Sequence, residues 1–339
     1  MGVLAHRRTR WASTPTLQEG YLKTVPTEHI TRLAPSPTGA LHLGNARTFL
    51  VNWLLARRQG WRIILRIEDL DGPRIKSGAD RAAIQDLRWL GLDWDDGPIY
   101  QSARLESYAV AVHKLLAAGL AYPCVCTRRE VDLAASAPHA DDGATVYPGT
   151  CRGKFASIDD ARRSSGRDPA IRFRVPDSVI TFHDEFRGRQ QIDAGTLGDF
   201  VIAKADGTPA YQLAVVVDDA AMGITQVVRG DDLLDSTPRQ ILLYRALGLD
   251  GSIPRCWHLP LVVGEDGRRL AKRHGDTRLA HYRELGVPAP AILALLAKWC
   301  GIDAAGEAPT AQQLIAKFEL AKLSPDRIVF TPAIDAVLT

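Results

Sequence analysis

The segment LAPSPTGALHLGNARTFL, Leu33 to Leu50, sets two prolines and two glycines directly ahead of a helical pattern. Leu43, Ala46, Leu50, Trp53 and Leu54 recur at helical spacing, and Gly60 is placed to stop the helix. Upstream, HITRLA reads as a short strand. Downstream, WRIILRIED is a near-continuous apolar run of the kind that fills a buried parallel strand. SGADRAAIQDLRWLG then opens on a Ser-x-x-Asp capping pattern at Ser77, carries Ala83, Ile84, Leu87 and Leu90 on one face, and closes at Gly91. Strand, helix, strand, helix predicts an α/β protein built on a doubly wound parallel sheet.

The pattern changes after Tyr122. Residues 123–204 hold three of the cysteines, a run of small residues and short alternating stretches such as AIRFRV, and read as an insertion with its own small sheet. Asp206-Gly207, between DFVIAKA and TPAYQLAVVV, is a hairpin signal. ITQVVRG resumes the core strands. DSTPRQILLYRALG is a helix with Ser236 or Thr237 as its cap and Pro238 in its first turn. The last seventy or so residues are mostly helical by pattern. The expected organisation is an N-terminal extension (1–30), a first sheet half (31–122), the insert (123–204), a second half (205–248), and a basic loop followed by a helical region (249–339).

Composition limits the function classes. The 339 residues are 46% hydrophobic and 24% charged, with a formal net charge of +3, so a polyanionic partner is allowed but not implied. No apolar run approaches the ~20 residues that span a bilayer. The first thirty residues carry Arg7, Arg8, Arg10 and Lys23 against Glu19 and Glu28, without the apolar stretch of a secretory signal. They read as an extension on a cytoplasmic protein, with an organellar transit peptide as the alternative. Five cysteines without an export signal argue against a disulfide framework.

Several residues are chemistry-bearing. Arg32, Glu68, Asp69 and Arg229 fall at or just beyond strands, where open α/β sheets bind ligands and where buried strands seldom carry charge. His42, Gly44 and Asn45 sit at the mouth of a helix, whose free N–H groups and positive dipole end suit a phosphate. A second stretch, LPLVVGEDGRRLAKRHG from Leu259 to Gly275, crowds Arg268, Arg269, Lys272 and Arg273 into one loop. Alone it is a solvated basic loop; opposite a His-x-Gly helix start it is suited to the phosphates of ATP. Cys124 and Cys126, followed by Tyr147 and Cys151, offer three thiolates and a phenol, and from spacing alone free cysteines and a zinc site are equally good readings.

RLAPSPTGALHLGN and RRLAKR resemble the two ATP motifs of class I aminoacyl-tRNA synthetases. LRIEDLDGPR, GLDWDDGPIYQS and VVRGDDLLDSTPRQ are similar to the glutamyl-tRNA synthetase branch, and the likeness runs from Thr31 to Arg273. The second motif departs from the usual pattern at Arg269, in place of a lysine, and at Ala271, in place of a serine. Cys-x-Cys followed by Tyr-x-x-x-Cys resembles the insert of the glutamyl-queuosine tRNA(Asp) synthetases, a shortened family of that branch.

The resemblance implies a Rossmann-type catalytic domain split by a zinc-containing insert. It implies that His42 and Lys272 are catalytic, and that Pro35, Ser36, His42, Gly44, Asn45 and Lys272 hold ATP with its Mg²⁺. It assigns Arg32, Ala34, Ser36, Glu68, Tyr211 and Arg229 to L-glutamate, and one structural Zn²⁺ to Cys124, Cys126, Tyr147 and Cys151. Cations at both Arg32 and Arg229 favour a γ-carboxylate over an amide. Residues 274–339 leave no room for a large anticodon-binding region, so the expected acceptor is queuosine at the wobble position of tRNA(Asp), with the anticodon stem-loop entering the site of a monomer. A truncated enzyme charging the 3′ end of tRNA(Glu), a small-molecule nucleotidyltransferase and an inactive RNA-binding relative are the alternatives.

Overall fold

In the computed structural model, residues 28–134, 146–270, 275–304 and 308–338 are described. The first strand, β1 (Ile30–Leu33), runs into the proline and glycine loop and then into helix α1 (Leu43–Gln59). His42 is the N-cap: its Nδ1 accepts from the Asn45 N–H while Asn45 Oδ1 accepts from the His42 N–H, each at 3.4 Å. At the other end Gly60 adopts φ +68°, which an L side chain resists, and its N–H closes on Ala56. The helix is buried along most of its length because it has sheet on one side and the C-terminal helices on the other. Asn52 pins it to β1, accepting from Thr31 Oγ1 and donating to the Arg32 carbonyl, both at 2.9 Å.

Strands β2 (Arg62–Ile67) and β3 (Asp96–Tyr100) add to β1 in parallel, with α2 (Ala79–Trp89) between them. After α3 (Leu105–Ala117), the chain forms β4 (Ala121–Cys124), α4 (Arg128–Ala134), α5 (Ile158–Ser165) and β5 (Ala170–Phe173). It continues through the pair β6 (Val179–Asp184) and β7 (Gly188–Asp193) to β8 (Val201–Ala203). β4, β5 and β8 make a separate antiparallel sheet. Helix α6 (Tyr211–Ala221), β9 (Gln226–Gly230), α7 (Ser236–Ala246) and β10 (Arg255–Leu259) follow. β10 lies between β9 and β6, parallel to both, and β7 closes that sheet antiparallel.

The two parallel sheets meet edge to edge. The Ile30 N–H donates to Thr225 Oγ1 and the Thr225 N–H donates to the Ile30 carbonyl, both at 2.9 Å. Read across this joint the strand order is β3-β2-β1-β9-β10-β6-β7. The direction of winding therefore reverses between β1 and β9, which is where such sheets open a crevice beyond their strand ends. The chain finishes with β11 (Val262–Val263), α8 (Leu279–Glu284), α9 (Ala289–Trp299), α10 (Ala311–Lys317), β12 (Ile328–Val329) and α11 (Pro332–Leu338). β11 pairs with β12 in parallel, and α9 and α10 share one apolar cluster with α1. No helix among the described residues is long and apolar enough to cross a membrane.

Four local expectations differ from the structure. Ser77 is not the cap of α2; Gly78, at φ +77°, occupies that position without a side-chain bond. Asp206-Gly207 does form a tight turn, closed by Lys204 and Thr208, but its second arm is a single bridge at Pro209 before α6 begins. Near-continuous apolarity in YQLAVVV reflects a helix buried on several sides rather than a strand. Neither Ser236 nor Thr237 caps α7; the N-cap residue is Asp235, and the Thr237 hydroxyl is drawn into a buried cluster instead. Residues 179–193, read as part of the insert, hydrogen bond into the sheet of β9 and β10.

Candidate active site

A cavity of about 780 Å³ opens at the reversal between β1 and β9. Arg32, Ala34, Pro35, Ser36, His42, Gly44, Asn45, Glu68, Tyr211 and Arg229, drawn from four separate parts of the sequence, all line it. Lys272 lies outside the described residues. The chain on either side of it is well placed. Arg269 and Leu270 line the cavity, and the Leu43 N–H at the start of α1 donates to the Thr277 carbonyl at 3.0 Å. Asp69 instead accepts from the Ser102 N–H and hydroxyl.

Charge in the cavity wall and just behind it is arranged in two groups. On the β1–β2 side, Arg66 is wholly buried and bridges Asp219, at 2.5 Å, and Glu68, at 3.0 Å. Asp219 also faces Arg32 Nε at 3.5 Å. Two cations and two anions thus hold one another in place, and the surroundings of Arg66 keep it charged. Burial pushes the Glu68 carboxyl above its ordinary range, while Arg66 and Arg32 pull it back. On the β9 side, Arg229 is 5% exposed and donates to His258 Nε2 at 2.9 Å and to Thr237 Oγ1 at 2.8 Å. Arg66, Asp219 and His258 were not among the residues singled out from the sequence. The signal for Arg66 was available: an arginine inside a run of buried β-formers.

At the helix mouth, burial first and then the nearby Arg269 guanidinium lower the His42 imidazole to about 4. It is neutral near pH 7. With Nδ1 accepting from Asn45, the proton sits on Nε2, a donor for a phosphate oxygen. A Cβ on Gly44 would stand 3.2 Å from the His42 ring and 3.5 Å from Val262, so glycine keeps this entrance open. Arg269 is held by Asp232 at 2.9 Å.

The cysteines form a second centre away from the cavity. Sγ atoms of Cys124, Cys126 and Cys151 lie within 4.8 Å of one another. The Tyr147 hydroxyl is 3.3 Å from Cys124 Sγ and 3.5 Å from Cys126 Sγ. A tetrahedral zinc with bonds of about 2.3 Å sets its sulfurs about 3.8 Å apart, so the donor set fits. The Arg172 guanidinium stacks 3.8 Å from the Tyr147 ring centre and donates to Cys124 Sγ at 3.3 Å.

The model for the catalytic domain of class I tRNA synthetases (E and Q) matches residues 29–331. The chain belongs to this family. It is 50% identical over 311 residues to the glutamyl-Q tRNA(Asp) synthetase of Symbiobacterium thermophilum, covering 89% of this chain and 95% of that relative. The corresponding protein of Rhodopirellula baltica is 49% identical over 315 residues, covering 87% and 94%. The glutamate–tRNA ligase of Geobacter sulfurreducens is 44% identical over 302 residues, covering 89% of this chain and 63% of the relative. Among solved structures, a glutamate tRNA ligase from Elizabethkingia meningosepticum in complex with its amino acid superposes with a TM-score of 0.76 at 30% identity, covering 92% of this chain and 68% of that one. This class I synthetase is therefore an ATP-using ligase on an α/β synthetase fold, glutamyl-tRNA synthetase-like, with glutamate and a tRNA as its partners.

Proposed function

We propose that the synthetase activates L-glutamate as glutamyl-adenylate and transfers it to queuosine in tRNA(Asp). The observation that carries the reading is the convergence of Arg32, Glu68, Tyr211 and Arg229 with the His42–Gly44 helix start in one cavity. The 50% identity to a glutamyl-Q tRNA(Asp) synthetase, 95% of which this chain spans, supports the choice of acceptor over the 3′ end of tRNA(Glu).

In the first step an oxygen of the glutamate α-carboxylate attacks the α-phosphorus of ATP. A new O–P bond forms, the bond to the β-phosphate oxygen breaks, and pyrophosphate leaves. The residues supply position and charge rather than covalent chemistry. Neutral His42 donates from Nε2 to a phosphate oxygen, the N-terminus of α1 adds its free N–H groups, and Pro35, Ser36, Gly44 and Asn45 shape the nucleotide's seat. Lys272 meets charge developing on the departing phosphates. Mg²⁺ carried in with ATP would screen the triphosphate. Glu68 accepts from the substrate ammonium, and Arg32 and Arg229 receive carboxylate oxygens beside Tyr211, with Ala34 and Ser36 packing the backbone side. In the second step a queuosine hydroxyl attacks the acyl carbon, loses its proton, and AMP departs with the adenylate oxygen.

Cys124, Cys126, Tyr147 and Cys151 would hold one structural Zn²⁺, tying β4 to the loop that precedes α5. The test of the whole reading is transfer of radiolabelled glutamate to tRNA(Asp) with and without queuosine. Label is expected only on the queuosine-containing RNA; equal labelling of both would overturn the acceptor assignment.

A further inference from the structure

Behind Arg229 lies a layer of buried polar groups that the adenylation steps leave unused. His258, next to the end of β10, is wholly buried, and its Nδ1 is 2.6 Å from Asp184 Oδ2. Asp184 ends β6 and is itself wholly buried. Its Oδ1 accepts from the backbone N–H groups of Arg187 at 2.7 Å, Phe186 at 3.1 Å and His258 at 3.3 Å. Donor and acceptor roles follow without freedom. An arginine only donates, so His258 Nε2 must be the bare, accepting nitrogen, and Nδ1 must carry the proton given to Asp184. Thr237 Oγ1, 3.2 Å from the same Nε2 and 2.8 Å from Arg229, completes the cluster.

We propose that Asp184 and His258 form a positioning relay that aims the Arg229 guanidinium at the substrate carboxylate while leaving its charge uncompensated. This rests on the reading of the cavity as a glutamate site. The contrast with the other side of the cavity is the argument. Arg32 and Arg66 are matched by Asp219 and Glu68 in direct contact. Arg229 meets a neutral ring, and the anion that orients that ring stands one imidazole further away. A carboxylate placed directly on Arg229 would satisfy it and blunt its attraction for a ligand. Spacing the two by a neutral imidazole keeps direction without neutralisation. Glutamate carries one net negative charge and glutamine none, so the unspent cation also favours the acid.

The charged groups around His258 are Asp184 from β6, Arg229 from β9, and Asp231 just beyond β9. Asp231 is already paired with Arg187 at 2.8 Å. Burial and Arg229 lower the imidazole below its ordinary 6.5 despite Asp184. Protonation would remove the acceptor and set a second cation against Arg229, so glutamate binding weakens only at pH below the ordinary imidazole range.

The test is glutamate-dependent ATP–pyrophosphate exchange with the full chain, comparing wild type, His258→Leu and His258→Gln. The leucine has no acceptor; the glutamine amide oxygen restores one. Losing a hydrogen bond that orients a charge should raise the glutamate KM about 10- to 100-fold in His258→Leu. The ATP KM should stay within about twofold, since a loss confined to one substrate leaves the other's seat unchanged. His258→Gln should recover most of the loss and should lack the acid-side rise in glutamate KM expected of the wild type. Where His258→Leu does not fold, Asp184→Asn replaces it and should raise the glutamate KM alone. An unchanged glutamate KM, a parallel rise in both KM values, or a glutamine variant no better than leucine would overturn the relay while leaving the glutamate site standing. No glutamate-dependent exchange in the wild type would remove both.

Discussion

His42 shows how one side chain can do structural and chemical work from a single tautomer. Its Nδ1 caps α1, which leaves the Nε2 proton free to donate into the cavity. The neutral state has a measurable signature. The imidazole titrates near 6.5 in the unfolded chain and near 4 in the fold, so the fold disfavours the charged form. Its contribution is fully present above pH 6.5 and is lost as pH falls toward 4. Without nucleotide, the wild type should lose about 3 kcal/mol relative to His42→Asn over that interval, asparagine being an equivalent cap that does not titrate. Denaturant melts of both proteins at pH 7 and pH 4 measure this; parallel curves would mean that the ring is not desolvated. Arg229 obeys the same logic with the opposite charge. Its partners were chosen for what they do not neutralise.

Elements matter here chiefly through what they bring together. α1 is tied to β1 by Asn52, to the chain after the basic loop by Leu43 and Thr277, and to the C-terminal helices by its apolar back. Its N-terminus is thereby fixed against the cavity while its C-terminus stays at the surface. The cysteine centre acts on a different pair of elements, β4 and the segment from Tyr147 to Cys151. Cys124→Ser should abolish bound zinc in elemental analysis and speed amide exchange across β4 and β5, with little change in β1 and β2. Wild-type protein purified without chelator and free of zinc would remove the metal assignment. β6, parallel to β10 on one side and antiparallel to β7 on the other, has a further role. It carries Asp184 into the sheet of β9 and β10, so a segment from within the interruption orients a residue of the cavity.

At the scale of the molecule the cavity is a property of the joint between two sheets. Arg32 and Glu68 come from one half, Arg229 and Tyr211 from the other, and the joint that sets their separation is made by Ile30 with Thr225 and by Arg32 and Arg66 with Asp219. A ligand seated there bridges the halves. Glutamate and a non-hydrolysable ATP analogue, each at 100 times its Kd, should each add about 2.7 kcal/mol to folding and raise a single melting transition by several degrees. Calorimetry showing two transitions, one of them indifferent to both ligands, would place the site within one half.

The alternation of strands and helices, the stop at Gly60 and the helix mouth at His42 were legible in the sequence because each depends on neighbours within a few positions. Apolar spacing, a left-handed glycine and a helix mouth are local physics. Spacing alone left Cys124, Cys126, Tyr147 and Cys151 open between free cysteines and a metal site; the family resemblance grouped them, and the fold brings them together. What only the tertiary structure decided was which charges would meet. Arg66 between Asp219 and Glu68, His258 between Asp184 and Arg229, and the recruitment of Thr237 from a helix start all join residues distant in sequence, through registers that no local pattern encodes. The reading of YQLAVVV as a strand failed for the same reason: burial on several sides erases the periodicity that separates helix from strand. A buried charge is stable only beside its partner, and that partner is chosen by the way the sheets come together.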